Sequence, residues 1–179
     1  MIARRHSCRA FSDQPLPDDV LDAIVTAGLH APSANNRQPW RLIVLRDKAL
    51  IGEIDQAGRA MIEKTDAAAY QRIQSRGGVL LYNTPDMIIV AGEETGSAYA
   101  DIDCGIVVSH LALAATALGV DSCVAAMPGL AFQGEAGAAL AHKVGIPAGF
   151  HFTISLLLGY GTGEAKAPHD IDRAKVIMA

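Results

Sequence analysis

Positive charge, cysteine and aromatic side chains are all scarce in this sequence. Fifteen lysines and arginines face 19 acidic residues, a formal charge of −4, which excludes the net-basic footprint of a general nucleic-acid or anionic-membrane binder. Cys8, Cys104 and Cys123 lie far apart with no CxxC pair; an odd, scattered set speaks against a secreted disulfide scaffold and for reduced thiols in the cytoplasm. The six histidines never fall within five residues of one another, so no metal-ligand spacing exists and no metal is expected. GxSxG is absent, and no secretory leader is visible, because Met1-Ile2-Ala3 runs straight into Arg4-Arg5-His6. The longest uncharged apolar stretch, 104–120, is interrupted by Gly105, Ser109, His110, Thr116 and Gly119. It falls short of the roughly 20 residues a bilayer requires. With no linker in 179 residues, a single domain over 1–179 is expected.

What the chain does have is apolar bulk. Half of its residues are hydrophobic and only 19% are charged, enough for a sizeable core and incompatible with disorder. A helix is predicted from Pro17 to Leu29, with Asp18 and Asp19 at its positive end and Leu21, Ile24, Val25 and Leu29 on its core face. Trp40–Arg46 reads as a strand, 48–76 as two short helices stopped by Gly77-Gly78, and Met87–Ala91 as a second strand. Asp101 and Asp103 precede a helix that is apolar on every side and ends at Gly119. Ser122–Ala126 is a short strand, Gln133–Val144 a helix, and Phe150–Leu158 the last strand, closed by Gly159-Tyr160-Gly161.

Without a strict βαβ rhythm this order favours an α+β sheet covered by helices over a doubly wound parallel sheet. A chain of this size has little interior in which to hide both an all-round apolar helix and the apolar helix 17–29. Their outer faces therefore imply an interface between two copies, an obligate homodimer.

Most chemical candidates have structural readings. Asp101 and Asp103 suit the dipole of the helix they introduce and lack a calcium-loop glutamate. Gly159-Tyr160-Gly161-Thr162-Gly163 lacks the following helix that a dinucleotide fingerprint needs. Cys104 and Cys123 lie in apolar runs, whereas Cys8 stands between Arg5 and Arg9. Arg4-Arg5-His6-Ser7-Cys8-Arg9 packs three guanidiniums, an imidazole and a hydroxyl into six residues. It is either a solvated basic terminus or a phosphate clasp built from charge-assisted hydrogen bonds. Pro32 to Trp40, stiffened by prolines and carrying Ser33, Asn35, Asn36 and Gln38, offers amide and hydroxyl groups to the edge of a heteroaromatic ring.

At these residues the chain resembles the FMN-dependent nitroreductase family. The resemblance rests on Arg5-His6-Ser7-Cys8-Arg9-Ala10-Phe11, on Ala31-Pro32-Ser33-Ala34-Asn35-Asn36-Arg37-Gln38-Pro39-Trp40, on Leu81-Tyr82-Asn83-Thr84-Pro85, and on Ala117-Leu118-Gly119-Val120-Asp121-Ser122-Cys123. It implies a nitroreductase-like α+β fold, with a central mixed or antiparallel sheet flanked by helices, in an entangled homodimer. It also implies FMN as cofactor and NADH or NADPH as reductant. Nitroaromatics, quinones or similar small molecules would then be acceptors in a ping-pong hydride cycle. By the same resemblance Arg5 and Ser7 would bind the flavin phosphate and ribityl region beside His6, and Arg9 the pyrimidine edge. Pro32, Ser33, Ala34 and Asn36 would come from the other subunit, Val124, Ala125 and Ala126 would pass the ring near N5, and Lys166 and Arg173 would reach the phosphate from the tail. No side chain is assigned a catalytic role, since hydride transfer needs no acid–base pair. Only Met1, Ile2 and Ala3 precede the arginine-rich stretch, so the short helix that family members place there is expected to be missing or to start in another way. The competing reading is a module that holds flavin or another phosphorylated ligand without catalysis.

Overall fold

The computed structural model describes residues 2–163, 167 and 170–178. Its frame is a four-stranded, wholly antiparallel sheet in the order β1 (Trp40–Leu45), β2 (Asp86–Glu93), β4 (Phe150–Gly159), β3 (Asp121–Ala125). Of the two arrangements expected, mixed or antiparallel, the sheet is therefore antiparallel. One isolated parallel bridge, Ser7 to Ser122, lies at its β3 edge.

The central strand explains its own sequence. β2 is buried from Asp86 to Gly92, so both of its faces must be apolar and the unbroken run Met87–Ala91 shows no polar alternation. Ile88 and Val90 join Leu156 and Leu158 in the core on one face, while Met87, Ile89 and Ala91 join Leu157 on the other. The first face is covered by α1 (Asp18–Leu29) and α4 (Ala100–Ala117), the second by α2 (Lys48–Thr65) and α5 (Gly134–Val144).

Helix boundaries differ from the sequence expectation in three places. α1 opens at Asp18 with Pro17 as its N-cap residue, and it packs on α4 through Leu21, Ile24 and Gly28. A Cβ on Gly28 would stand 2.5 Å from Leu111 Cδ2. This close approach turns Leu29 outward, 52% exposed, instead of into the core. Residues 48–76 form one long helix and one short one, α2 and α3 (Ala67–Gln74), separated at Asp66, whose side chain caps the second by accepting from Ala69 N–H at 2.8 Å. Asp101 and Asp103 lie inside the first turn of α4, not before it.

The sites that fix the chain ends of the sheet are buried carboxylates. Asp86, fully buried, accepts from Leu16 N–H at 2.7 Å and from Arg46 Nε at 2.9 Å. Arg46 also bonds Asp18 and the Leu16 carbonyl, which pins the entry to α1 against the end of β1. The residues before the arginine-rich stretch form a single 3-10 turn, Ile2–Arg4, in place of a helix.

α4 is the one described helix long and apolar enough to cross a membrane by length and composition. Its inner face, Cys104, Val107, Val108, Leu111, Ala112 and Ala115, is buried against the sheet and α1. Its outer face is apolar too: Ile102 and Leu118 just beyond the helix end are 62% and 47% exposed, with Ile106 and Leu113 partly exposed between them.

Candidate functional site

The N-terminal segment runs alongside β3. Cys8 N–H donates to the Ser122 carbonyl at 2.9 Å, and Ser7 pairs with Ser122. Further on, Ser12 N–H donates to Tyr160 O at 2.8 Å and Thr162 N–H to Ala10 O at 3.0 Å, tying the segment to the exit of β4. In an extended run alternate side chains share a face, so Arg5, Ser7 and Arg9 stand together while Cys8 enters the core. Their convergence registers on one thiol: burial pushes the Cys123 thiol up, and the Arg9 charge, the Ser7 hydroxyl and the Arg5 charge draw it back down. Among the described residues no carboxylate lies within ion-pair distance of Arg5 or Arg9, whereas Arg37 and Arg59 each have one and Arg46 has two. Two free guanidiniums beside a hydroxyl fit a phosphate-bearing ligand. His6 faces away toward Asp121, 3.7 Å from its Oδ1, over a cleft of about 160 Å³ that Arg4 and Thr116 also line.

The second cluster is a strained corner between α1 and β1. Asn35, Asn36 and Gln38 all have φ near +53°, a left-handed conformation that non-glycine residues adopt only where surroundings enforce it. The enforcing contacts are visible. Ser33 Oγ accepts from Gln38 N–H at 2.9 Å, Asn36 Oδ1 accepts from Gln38 Nε2 at 3.1 Å, and Ala34 N–H donates to both oxygens of Asp103 at 3.2 and 3.3 Å. With its oxygen engaged by Gln38, Asn36 keeps its NH₂ as an uncommitted donor among the described residues. Sequence reasoning missed Asp103 as the anchor and gave it only a dipole role. A carboxylate set within an apolar helical run, at a position facing the core, was the available signal.

Val124, Ala125 and Ala126 close β3. The Ala125 carbonyl accepts from Ser155 Oγ at 2.8 Å and the Ala126 carbonyl from Gly129 N–H at 3.0 Å. Their acceptors are thus occupied, and Val124 and Met127, 39% and 42% exposed, flank the small side chains. Of the two tail residues, Lys166 lies outside the described residues. Arg173 opens an exposed 3-10 turn capped by Asp172, and no described contact joins it to Arg5, Ser7 or Arg9.

The two clusters occupy opposite ends of α4. The 33–36 corner is held at Asp103, whereas the N-terminal segment that carries the clasp meets the helix at Thr116 through the cleft on its Arg4–His6 side, about 20 Å further along the helix axis. Within one protomer they do not form one pocket.

An antiparallel sheet with a long, mostly apolar helix on its face, a group of guanidiniums beside its edge strand and an Asn-rich corner at the far end of that helix defines a small α+β protein with two separate polar clusters. The chain matches the model of the nitroreductase family over residues 2–161, and it belongs to that family. It is 39% identical to a nitroreductase from Desulfitobacterium hafniense whose crystal structure contains bound FMN, with a TM-score of 0.95 over 99% of this chain and 95% of that one. A protein of Archaeoglobus fulgidus that carries the name NADH dehydrogenase/NAD(P)H nitroreductase is 30% identical over 92% of this chain and 85% of its own length. The NADH dehydrogenase of Thermus thermophilus is 27% identical over 98% of this chain and 92% of its own.

Proposed function

We propose that the protein is an FMN-dependent oxidoreductase, a single domain over 1–179 that works as a cytoplasmic homodimer. The observation that carries this reading is the pair of carboxylate-free guanidiniums, Arg5 and Arg9, gathered with Ser7 on β3, in a chain so similar to an FMN-bound nitroreductase. When bound, FMN supplies the two-electron chemistry, accepting hydride from NADH or NADPH and passing it to a nitroaromatic, quinone or similar acceptor in a ping-pong cycle.

The chain's own residues supply position and field. Arg5 and Ser7 hold the phosphate and ribityl region, His6 lies between them in the chain with its ring turned to Asp121, and Lys166 and Arg173 add cationic groups from the tail. Arg9 places positive charge at the pyrimidine edge, where negative charge grows on reduction. Val124, Ala125 and Ala126 present small side chains so that the ring can approach the backbone. Pro32, Ser33, Ala34 and Asn36 complete the site from the second copy. Two observations support that completion: the separation of the halves along α4, and an outward apolar surface made of Leu29, Ile102, Ile106, Leu113 and Leu118, which water-facing helices rarely keep without a partner.

The test begins with colour and size. Purified protein should show the near-ultraviolet and blue absorption bands of oxidised flavin, or acquire them with added FMN, and should elute as a dimer at micromolar concentration. It should then oxidise NADH or NADPH only when a nitroaromatic or quinone is present to turn over. Bound flavin with no such turnover would favour the flavin-holding module, and a colourless monomer would end the proposal.

A further inference from the structure

A second cavity, of about 540 Å³, lies away from both candidate half-sites, between the N-terminal segment at Phe11–Asp13, the first half of α2 and the chain at 79–84. Its size falls within the range of small-molecule sites. The floor is apolar, made by Phe11, Ile51, Val79 and Leu81. What distinguishes it from a packing gap is the state of its polar groups.

Asp55, buried on α2, is saturated: Oδ1 accepts from Leu80 and Leu81 N–H at 2.7 and 2.8 Å, and Oδ2 accepts from Arg59 Nε at 2.5 Å. That last bond fixes the Arg59 guanidinium at the cavity wall and leaves both Nη groups without an acceptor among the described residues. Ser12 lines the cavity with its backbone held by Tyr160, while its Oγ is closed off from it and has no hydrogen-bond partner among the described residues. The Asn83 amide, on a residue with φ of +55°, is engaged by no described group either. At the rim Lys48 is offset by Asp13 at 3.3 Å. The groups left free at the cavity wall are therefore the Arg59 Nη donors and the Asn83 amide, and the uncommitted charge is positive, above an apolar floor.

We propose that this cavity binds a small organic monocarboxylate. Its anionic head bonds Arg59 Nη and the Asn83 amide, and its apolar body lies on Phe11, Ile51 and Leu81. The chemistry follows from the donor set: a guanidinium pre-oriented by its Nε bond presents the planar fork that carboxylates match. The site is independent of the flavin reading and stands or falls separately from it.

The probe is benzoate, titrated into FMN-saturated protein and followed by amide ¹H–¹⁵N spectra, with benzyl alcohol as the uncharged counterpart. Saturable shifts are expected at Ser12, Gly52, Leu80, Leu81 and Asn83. Benzyl alcohol and the variant Arg59→Gln should each bind about tenfold more weakly or worse. Gly52 is the internal control, because a Cβ there meets nothing within 4 Å. Gly52→Leu should fold normally, fill the space and abolish the response. The proposal is overturned by shifts confined to 5–9 and 124–126, by equal binding of benzoate and benzyl alcohol, by unchanged binding in Gly52→Leu, or by no saturable response in the unsubstituted protein.

Discussion

Asp103→Ala separates what the 33–36 corner does for stability from what it does for the cofactor. Asp103 is 3% exposed, and its one described side-chain contact is the shared bond from Ala34 N–H. A hydrogen bond to a charged acceptor contributes about 1.5–3 kcal/mol, and a carboxylate in the first turn of a helix adds about 0.3–1 kcal/mol. Against this, burying a carboxylate with a single partner carries a desolvation cost of the same order, which alanine removes. The net loss is therefore small, about 1–2 kcal/mol, or roughly 2–8 °C in Tm for a chain of this length. The corner pays differently. Asn35 and Asn36 are held at positive φ at a cost of about 1–3 kcal/mol each. Without Asp103 the strain relaxes and the loop must be reordered by the ligand, weakening FMN binding about 10- to 100-fold. Asp103→Asn retains an acceptor at the same place and should keep most of the affinity. The assays are thermal denaturation without added flavin, and quenching of flavin fluorescence for Kd. An unchanged Kd in Asp103→Ala would refute the assignment of this corner to the cofactor, whatever happens to Tm.

Two other outcomes follow from charge and burial. Arg9→Ala should lower the two-electron potential of the bound flavin by about 20–60 mV, the equivalent of roughly 1–3 kcal/mol of lost stabilisation of the reduced form. Dye-coupled reductive titration measures it, and an unmoved potential removes Arg9 from the pyrimidine edge. Burial pushes the Cys104 thiol up to about 11 from an ordinary value near 9, partly countered by the Thr153 hydroxyl and reinforced by Asp101 and Asp103. A raised folded-state value means that the protonated thiol favours the native state, so its contribution is complete below pH 9 and is lost as pH rises toward 11. Urea midpoints should accordingly fall over that window more steeply in the unsubstituted protein than in Cys104→Ala; parallel slopes would contradict the burial argument.

The parts of the fold that were readable in the sequence are those whose reasons are local. β2 betrays itself as a central strand because a strand buried on both faces must be continuously apolar, and α4 keeps apolar residues, Ile102, Ile106 and Leu113, on its outer side as well as its inner one. The Arg5, Ser7, Arg9 spacing survives as a shared face because the segment runs extended beside β3. What could not be read is long-range. That Asp103 holds Ala34, 69 positions away, or that Asp55 holds Leu80 and Leu81, depends on packing that brings remote backbone to a carboxylate. In sequence each looks like an ordinary helix residue. Leu29 was misassigned for a related reason: periodicity marks an apolar face but not how closely the neighbouring helix approaches, and Gly28 against Leu111 rotates α1 away from the simplest reading.

α4 also explains why the site and the proposed dimer are inseparable. Its inner face belongs to the sheet, its first turn anchors the Asn-rich corner through Asp103, and its last turn lies under the Arg4–His6 cleft at Thr116. A helix is stiff over this length, so the distance between the two half-sites is set by the number of residues between those positions and cannot close by side-chain motion. In the proposed dimer, two copies packed through the outer faces of α4 in opposite directions would bring the first turn of one beside the last turn of the other, and the same contact would complete both sites. The apolar outer face and the separated half-sites are then one solution to a single geometric constraint, and a change that prevents the helices from pairing should remove flavin binding from a chain whose own fold is intact.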